Sequence, residues 1–481
     1  MTLPNSPAPN ANIKKLSILI PVYNEIRTLE KLLDRVVSAP LPCERELVIV
    51  DDGSKDGSRE ILRKFAESRD DTKLIFHRQN QGKGAAIRTA IRHLTGDWAI
   101  IQDADLEYDP RDWATMLVPV QEGIADAVFG SRFLTGRYRR AMLFWHTLAN
   151  KTLTFASNVL NDLNLTDMET CYKLVRSDIL KSLRIRSNGF DLEPELSAKL
   201  ARWGARIYEV PISYQGRSYA EGKKIGAKDA VQAFWAMVKY RYLDRRYTNH
   251  DGFIILQSLR RAKKFNRWLM DQFEEHIGEE VLEAGCGIGN LTDLMLSKRR
   301  IVCLDYEDFY VKRLHQAYGH MQNFDVHQAD LTKLEDIETA SPGKLFDTVI
   351  CINVAEHIKE DEQVFANFFK ALKPGGKAII LVPHDPALYT KVDRAIGHYR
   401  RYTRDELSGK LSAAGFKVLD CWGFNRFGAL GWRVNGKLLG KDTISPESMR
   451  VFEMLMPLVK LVEKVPFHTH NSVIAVGEKP K

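Results

Sequence analysis

The chain has 481 residues, 44% of them hydrophobic and 27% charged, which excludes disordered, collagen-like and disulfide-scaffold proteins and leaves room for two large α/β domains. No run reaches the ~18 apolar residues that a membrane-crossing helix needs, and the opening MTLPNSPAPNAN lacks the apolar segment of a signal peptide. The net charge of +8 is lopsided, with 38 Lys and Arg against 31 Asp and Glu in residues 1–250 and 32 against 31 in residues 251–481.

After residues 1–13, expected to be a disordered tail, short apolar runs alternate with helical periodicity. LSILIPV (16–22), ELVIVDD (46–52), KLIFHR (73–78), WAIIQDAD (98–105) and AVFGSRF (127–133) read as strands. IRTLEKLLDRVV and GSREILRKFAES read as helices between them. YKLVR (172–176) and ARIYEVPISY (205–214) are later strand candidates. This alternation implies βαβ units and a mostly parallel sheet. A basic stretch, KYRYLDRRYTNHDG and then SLRRAKKFNRW, separates a second series. The boundary is set near residue 245, giving domains 14–245 and 246–481. The second series has seven strand signals: VLEA (281–284), IVCLD (301–305), DVHQAD (325–330), DTVICINV (347–354), AIILVP (378–383), KVLDCWGF (417–424) and NSVIAV (471–476). The fold class is α/β in both domains. The six Cys show neither CxxC nor zinc spacing with His, so reduced thiols in a cytoplasmic protein are expected.

In the first domain, Asp103 and Asp105 stand two apart at the end of a strand and face the same side. That edge is where open α/β sheets bind ligands. Paired carboxylates there suit Mg²⁺ or Mn²⁺ bridged to a substrate phosphate; ordinary loop acids are the alternative. The surrounding order is specific: Pro21-Val22-Tyr23-Asn24-Glu25, Val50-Asp51-Asp52-Gly53-Ser54, Asn80-Gln81-Gly82-Lys83-Gly84, the Asp103/Asp105 pair, then Gly130-Ser131-Arg132.

Over residues 14–240 this set resembles the family-2 inverting glycosyltransferases with the GT-A fold, above all the polyprenyl-phosphate (dolichyl-phosphate) mannosyl- and glucosyltransferases. The resemblance implies that Pro21, Tyr23, Glu25, Asp52, Lys83 and Asp103 hold a GDP- or UDP-linked sugar. It implies Asp103, Asp105 and Glu107 as metal ligands, Arg132 on a phosphate, and Arg217 and Lys224 on a basic loop that closes over the phosphates. Asp167 matches a recurrent acid lining the site. Asp191 and Glu193 are either a base or positioning groups, or acids that favour a helix start. A phosphate acceptor is largely ionised at neutral pH and needs no base, whereas a sugar hydroxyl does. Arg137, Arg139 and Arg140 precede the aromatic-rich MLFWHTLANKTLTFASNVL. That combination reads as peripheral membrane contact or as a core helix with a solvated start.

In the second domain, Glu283, Gly285, Gly287 and Gly289 form E-x-G-x-G-x-G after a short strand. Position 290 is Asn, so the dinucleotide fingerprint GxGxxG fails. The pattern resembles class I S-adenosylmethionine-dependent methyltransferases, and the resemblance spans residues 250–481. It implies a seven-stranded Rossmann-like fold that binds S-adenosyl-L-methionine. Asp305 then meets the ribose hydroxyls, Asp330 the adenine side, and Asn353 lies in the fourth motif, FDTVICINVAEHI. Leu372-Lys373-Pro374-Gly375-Gly376 is expected as the loop before the fifth strand. His357, His384, His398, Arg400 and Arg401 are candidates for the methyl-acceptor side, with helix-start and surface roles as alternatives. FEMLMPLVKLVEKV (452–465) is expected to pack on the core.

The sequence therefore reads as a bifunctional enzyme of cell-envelope glycan synthesis, cytoplasmic or peripheral on the inner membrane face. One half transfers a sugar, to polyprenyl phosphate or to a glycan acceptor. The other methylates a glycan or lipid-linked product. A first domain serving only as a nucleotide-binding scaffold is the alternative from another class. No nucleic-acid module is present, and the basic first half fits phosphate substrates.

Overall fold

The computed structural model describes residues 13–134, 143–216, 227–244, 247–249, 251–433, 451–463 and 469–481. Residues 1–12, Arg137, Arg139, Arg140, Arg217 and Lys224 lie outside the described residues. The chain divides into two compact units, Met1–Asn249 and His250–Lys481.

The first unit is built on seven strands: β1 (Lys15–Val22), β2 (Glu44–Asp51), β3 (Thr72–Phe76), β4 (Trp98–Ile101), β5 (Ala127–Ser131), β6 (Lys173–Arg176) and β7 (Ile207–Pro211). Their order across the sheet is β3-β2-β1-β4-β6-β5-β7. Strands β1 to β4 pair in parallel, and Ile18, Leu19 and Ile20 are fully buried, as expected for a sheet covered on both faces. Helix Leu29–Ser38 buries Leu29, Leu32, Leu33 and Val36, the one-sided spacing of a helix lying on a sheet. β6 departs from the expected parallel pattern, because it runs antiparallel to both β4 and β5.

The second unit has β8 (Glu280–Ala284), β9 (Arg300–Asp305), β10 (Phe324–Gln328), β11 (Phe346–Ile352), β12 (Leu372–Pro383), β13 (Lys417–Phe424) and β14 (Ser472–Glu478). The order is β10-β9-β8-β11-β12-β14-β13, with β14 antiparallel between β12 and β13. All seven expected strands form. Leu372–Gly376, expected as a loop, instead opens β12. The Gly375 N–H donates to Lys479 O and the Lys479 N–H to Gly376 O, both at 2.8 Å, so the segment has partners that a free loop would lack. In each sheet the strand order switches direction near the middle, at β1/β4 and at β8/β11. Ligands bind at the carboxyl ends of strands flanking such a point. No described helix is long and apolar enough to cross a membrane.

Candidate active sites

In the first unit, Asp103 and Asp105 follow the last residue of β4. Gly82 precedes helix Lys83–His93 at φ +97°, and a Cβ there would lie 2.2 Å from Asn188 O. Only glycine lets the Asn188 loop sit this close with the backbone in that conformation. The docking delivers Lys83 to two acids: its Nζ lies 2.8 Å from both Asp103 Oδ1 and Glu193 Oε1. Asp52 is buried, and its carboxylate accepts from the backbone N–H groups of Gln81 (3.0 Å) and Gly82 (2.7 Å) and lies 2.6 Å from His77 Nδ1. It therefore holds the turn that positions Lys83. Pro21 lies within β1, Tyr23 is exposed, and Glu25 Oε2 accepts from Thr28 Oγ1 at 2.9 Å. Asp191 precedes helix Leu192–Trp203 and accepts from the Gly189 N–H at 3.2 Å.

Arg132 leaves the end of β5 and meets Asp167 as a fork. Its Nε and Nη2 donate to the two carboxylate oxygens at 2.7 Å each, and its backbone N–H adds a third bond at 3.0 Å. Asp167 has no exposed surface. Glu209 on β7 accepts from the N–H groups of Thr166 (2.8 Å) and Asp167 (3.1 Å), fixing that loop. The Tyr214 ring lies 5.1 Å from the Arg132 guanidinium, and the Tyr214 hydroxyl donates to Glu107 Oε2 at 2.9 Å. Asp103, Asp105 and Glu107 offer carboxylate oxygens, the donor type that suits Mg²⁺ or Mn²⁺, but among the described residues they are not a group whose donor atoms converge within 4.8 Å; Asp103 pairs with Lys83, Asp105 accepts from the Glu107 N–H and Glu107 from Tyr214.

Two groups here, Glu169 half-buried and Lys173 fully buried, escape a reading of the sequence. Burial, with Glu193 nearby, pushes the Glu169 carboxyl up to about 7. Lys173, also buried, donates from Nζ to Met168 O at 2.8 Å and to Thr170 O at 2.5 Å. The signal available was the period of two in TDMETCYK, where Asp167, Glu169 and Lys173 alternate with other residues.

In the second unit, Glu283 on β8 is buried and accepts from Thr292 Oγ1 at 2.6 Å. Burial raises its carboxyl to about 7. Gly285 follows at φ +76°, where a Cβ would stand 2.2 Å from Val354 Cγ2. The Gly287 N–H donates to Asp305 Oδ2 at 2.7 Å, tying the glycine turn to the end of β9, and the Gly289 N–H donates to Cys286 O at 3.0 Å. Asp330 follows β10 and accepts from the Thr332 N–H and hydroxyl at 3.1 and 2.7 Å. Asn353 follows β11, exposed and left-handed at φ 54°. The structure thus brings Glu283, the glycines, Asp305, Asp330 and Asn353 to the carboxyl ends of four neighbouring strands.

The five acceptor-side candidates separate. Arg401 is buried, donating from Nε to Asp393 Oδ1 at 2.8 Å and from Nη1 to His384 O at 2.9 Å. Arg400 pairs with Asp361 Oδ1 at 2.8 Å and donates to Lys359 O at 2.9 Å. His384 Nδ1 lies 2.8 Å from Tyr402 O. His357 and His398 come together, with ring centroids 4.7 Å apart, beside Glu356, a residue the sequence did not single out.

Comparison with known proteins agrees with this division. Residues 17–184 match the model of "Glycosyl transferase family 2", and residues 282–378 that of a "Methyltransferase domain". The undecaprenyl-phosphate mannosyltransferase of Micrococcus luteus is 32% identical over 222 residues, covering 43% of this chain and 86% of that protein. The dolichol-phosphate mannosyltransferase of Pyrococcus furiosus is 25% identical over 214 residues, covering 44% of this chain but only 60% of that protein. A solved SAM-dependent methyltransferase from Archaeoglobus fulgidus superposes with a TM-score of 0.32 at 16% identity, covering 45% of this chain and 94% of that one. The chain belongs to glycosyl transferase family 2, and it joins that enzyme unit to a methyltransferase.

Proposed function

We propose that the first unit transfers a sugar, with inversion and with Mg²⁺ or Mn²⁺, from a GDP- or UDP-linked donor to polyprenyl phosphate. The observation that carries this is the mixed set at the end of β4 and β5: the acids Asp103, Asp105 and Glu107 with the cations Lys83 and Arg132. A nucleoside diphosphate alone needs cations, and a bare metal site alone needs acids. The combination suits a metal-bridged diphosphate leaving group. When bound, the metal neutralises charge growing on that leaving group. Lys83 offers a point charge and Arg132 a planar fork to phosphate oxygens. Asp167 fixes the aim of that fork. A phosphate acceptor arrives ionised, so no residue has to remove its proton. The Micrococcus luteus relative, by its name, acts on undecaprenyl phosphate.

Helix Phe144–Asn161 supports a lipid acceptor. It turns Thr154, Ser157 and Asn161 inward and exposes Phe144, Trp145, Phe155 and Val159. Helix Ala227–Val238 packs beside it and exposes Phe234 and Trp235. A polar-inside, aromatic-outside helix directly after Arg137, Arg139 and Arg140 in the sequence, beside a second helix that exposes aromatics, fits the surface of an anionic bilayer.

The second unit binds S-adenosyl-L-methionine over its glycine turn, with Glu283, Asp305 and Asp330 toward the nucleoside, and methylates a glycan or lipid-linked acceptor. Methyl transfer from a sulfonium is a direct displacement, so holding the two reactants in line is the main task.

The test is incubation of the full chain with GDP- and UDP-sugars, Mn²⁺ and vesicles containing undecaprenyl phosphate. Sugar is expected in the lipid fraction. Asp105→Asn is expected to lower transfer at least about 100-fold, the scale on which removing one element of electrostatic stabilisation is felt. Release of free sugar only, or undiminished transfer by Asp105→Asn, refutes the assignment.

A further inference from the structure

Glu356 is fully buried, and neither of its carboxylate oxygens has a hydrogen-bond partner. That is a costly arrangement, since buried carboxylates are ordinarily paired or bound to metal. The nearest basic group is His398 Nε2, 3.7 Å from Glu356 Oε1. His398 is itself buried, and its other nitrogen, Nδ1, lies 3.1 Å from Asp393 Oδ1. Asp393 has no exposed surface and is fixed by Arg401 Nε (2.8 Å), the Thr390 N–H (2.8 Å) and the Trp432 indole N–H (3.2 Å). So anchored, Asp393 accepts the Nδ1–H proton and leaves the Nε2 lone pair directed at Glu356. A carboxylate behind an imidazole is the arrangement that supports metal-binding histidines.

His357 completes the cluster from the exposed side, its ring edge-on to that of His398. The available donor atoms of Glu356, His357 and His398 lie within 4.8 Å of one another. Ligands about 2.0–2.2 Å from a tetrahedral ion stand about 3.5 Å apart, so the Glu356–His398 pair at 3.7 Å already has ligand spacing. The segments carrying the donors are tied together, because the Tyr399 N–H donates to Glu356 O at 2.8 Å. Glu356 also stands two residues after Val354, whose side chain packs against Gly285. The cluster therefore borders the glycine turn of the methyltransferase unit.

We propose that Glu356, His357 and His398 form a site for a borderline divalent transition metal of the zinc class. Two imidazoles and one carboxylate suit Zn²⁺, Fe²⁺ or Co²⁺ rather than Mg²⁺. Three protein donors leave a fourth position open, as in catalytic rather than closed structural sites. This site is separate from the all-carboxylate set at Asp103, Asp105 and Glu107, and it does not depend on the glycosyl-transfer reading.

The experiment uses the full chain, stripped with chelator and held in millimolar Mg²⁺ to occupy the carboxylate set. Co²⁺ is titrated while its visible absorption is recorded, and Zn²⁺ is then added. One equivalent of Co²⁺ is expected to give nitrogen-ligand bands that Zn²⁺ abolishes. His357→Ala, at an exposed position that should not disturb folding, is expected to weaken Co²⁺ binding about 100-fold, as is Glu356→Gln. Asp393→Asn should weaken it about 10- to 100-fold, the range for a supporting carboxylate. The far-UV circular dichroism and metal-free melting temperature of His357→Ala are expected to match the parent protein. Absence of a nitrogen-ligand spectrum overturns the proposal. So does Co²⁺ affinity unchanged in both His357→Ala and Glu356→Gln.

Discussion

Replacing Asp167 with Asn tests whether Arg132 is aimed by its partner. The carboxylate takes three hydrogen bonds from Arg132 and has no exposed surface, while the Arg132 side chain is 12% exposed. Asn keeps the shape but removes the charge and turns one acceptor into a donor facing the guanidinium. Leaving a buried charge unpaired costs about 3–5 kcal/mol. The Tyr214 ring at 5.1 Å retains a cation–π contact, worth about 1 kcal/mol where partly exposed, which favours the lower figure of about 3 kcal/mol. For a unit of this size that lowers the melting temperature by about 6–12 °C. The transition to follow is the one shifted by the nucleotide sugar or its metal. A misaimed fork should also cost about 100-fold in kcat/KM. The double variant Arg132→Met/Asp167→Asn separates the two effects. It removes the orphaned charge, so most of the stability should return while transfer stays low. If Asp167→Asn melts within about 2 °C of the parent and keeps kcat/KM within about twofold, the pair neither stabilises the unit nor aims Arg132.

Two further outcomes concern the methyltransferase unit. The Glu283 carboxyl is raised from 4.5 to about 7 by burial. Its contribution to stability is therefore fully present below about pH 4.5 and is lost as pH rises through 7, by roughly 3 kcal/mol in all. Glu283→Gln cannot ionise, so the variant should gain on the parent between about pH 4.5 and 7 in thermal melts and hold that gain above pH 7, and the opposite trend refutes this. Gly285→Ala meets both a left-handed backbone and a Cβ 2.2 Å from Val354 Cγ2, whereas Gly343→Ala meets only φ +65° with nothing within 4 Å. Gly343→Ala should cost about 1 kcal/mol and Gly285→Ala at least twice that, with donor binding by equilibrium dialysis lost only in the latter. Equal effects would sink the packing argument.

The central strands were legible because β1, β4, β8 and β11 are apolar runs buried almost throughout, and burial on both faces makes such runs nearly continuous. The two candidate sites were placed for a related reason: DAD and E-x-G-x-G-x-G lie within a few residues of a strand end. Direction was not legible for β6, because Lys173–Arg176 has only four residues and its sequence reads the same either way along the sheet. Leu372–Gly376 misled because Pro and Gly signal a turn, while the partner that extends the strand, Lys479, lies about a hundred residues later.

Charged residues were hardest, for a physical reason. Their type predicts exposure, and only a partner far along the chain reverses that. Arg132 and Asp167 are 35 residues apart, and Glu356 and His398 are 42 apart. Arg401 looks like one half of a surface fork with Arg400, yet Asp393 eight residues earlier takes it into the core. At Lys83 the same effect reaches the chemistry. Its neighbours in sequence mark it only as a phosphate-loop lysine. Its neighbours in space are two acids, one of which, Asp103, is a candidate metal ligand. A lysine and a divalent cation compete for the same carboxylate oxygen, and the ion carries twice the charge. On the proposed function, a metal held at Asp103 would leave Lys83 to Glu193 or to the substrate phosphates, so metal binding and the grip of Lys83 on the donor would be coupled.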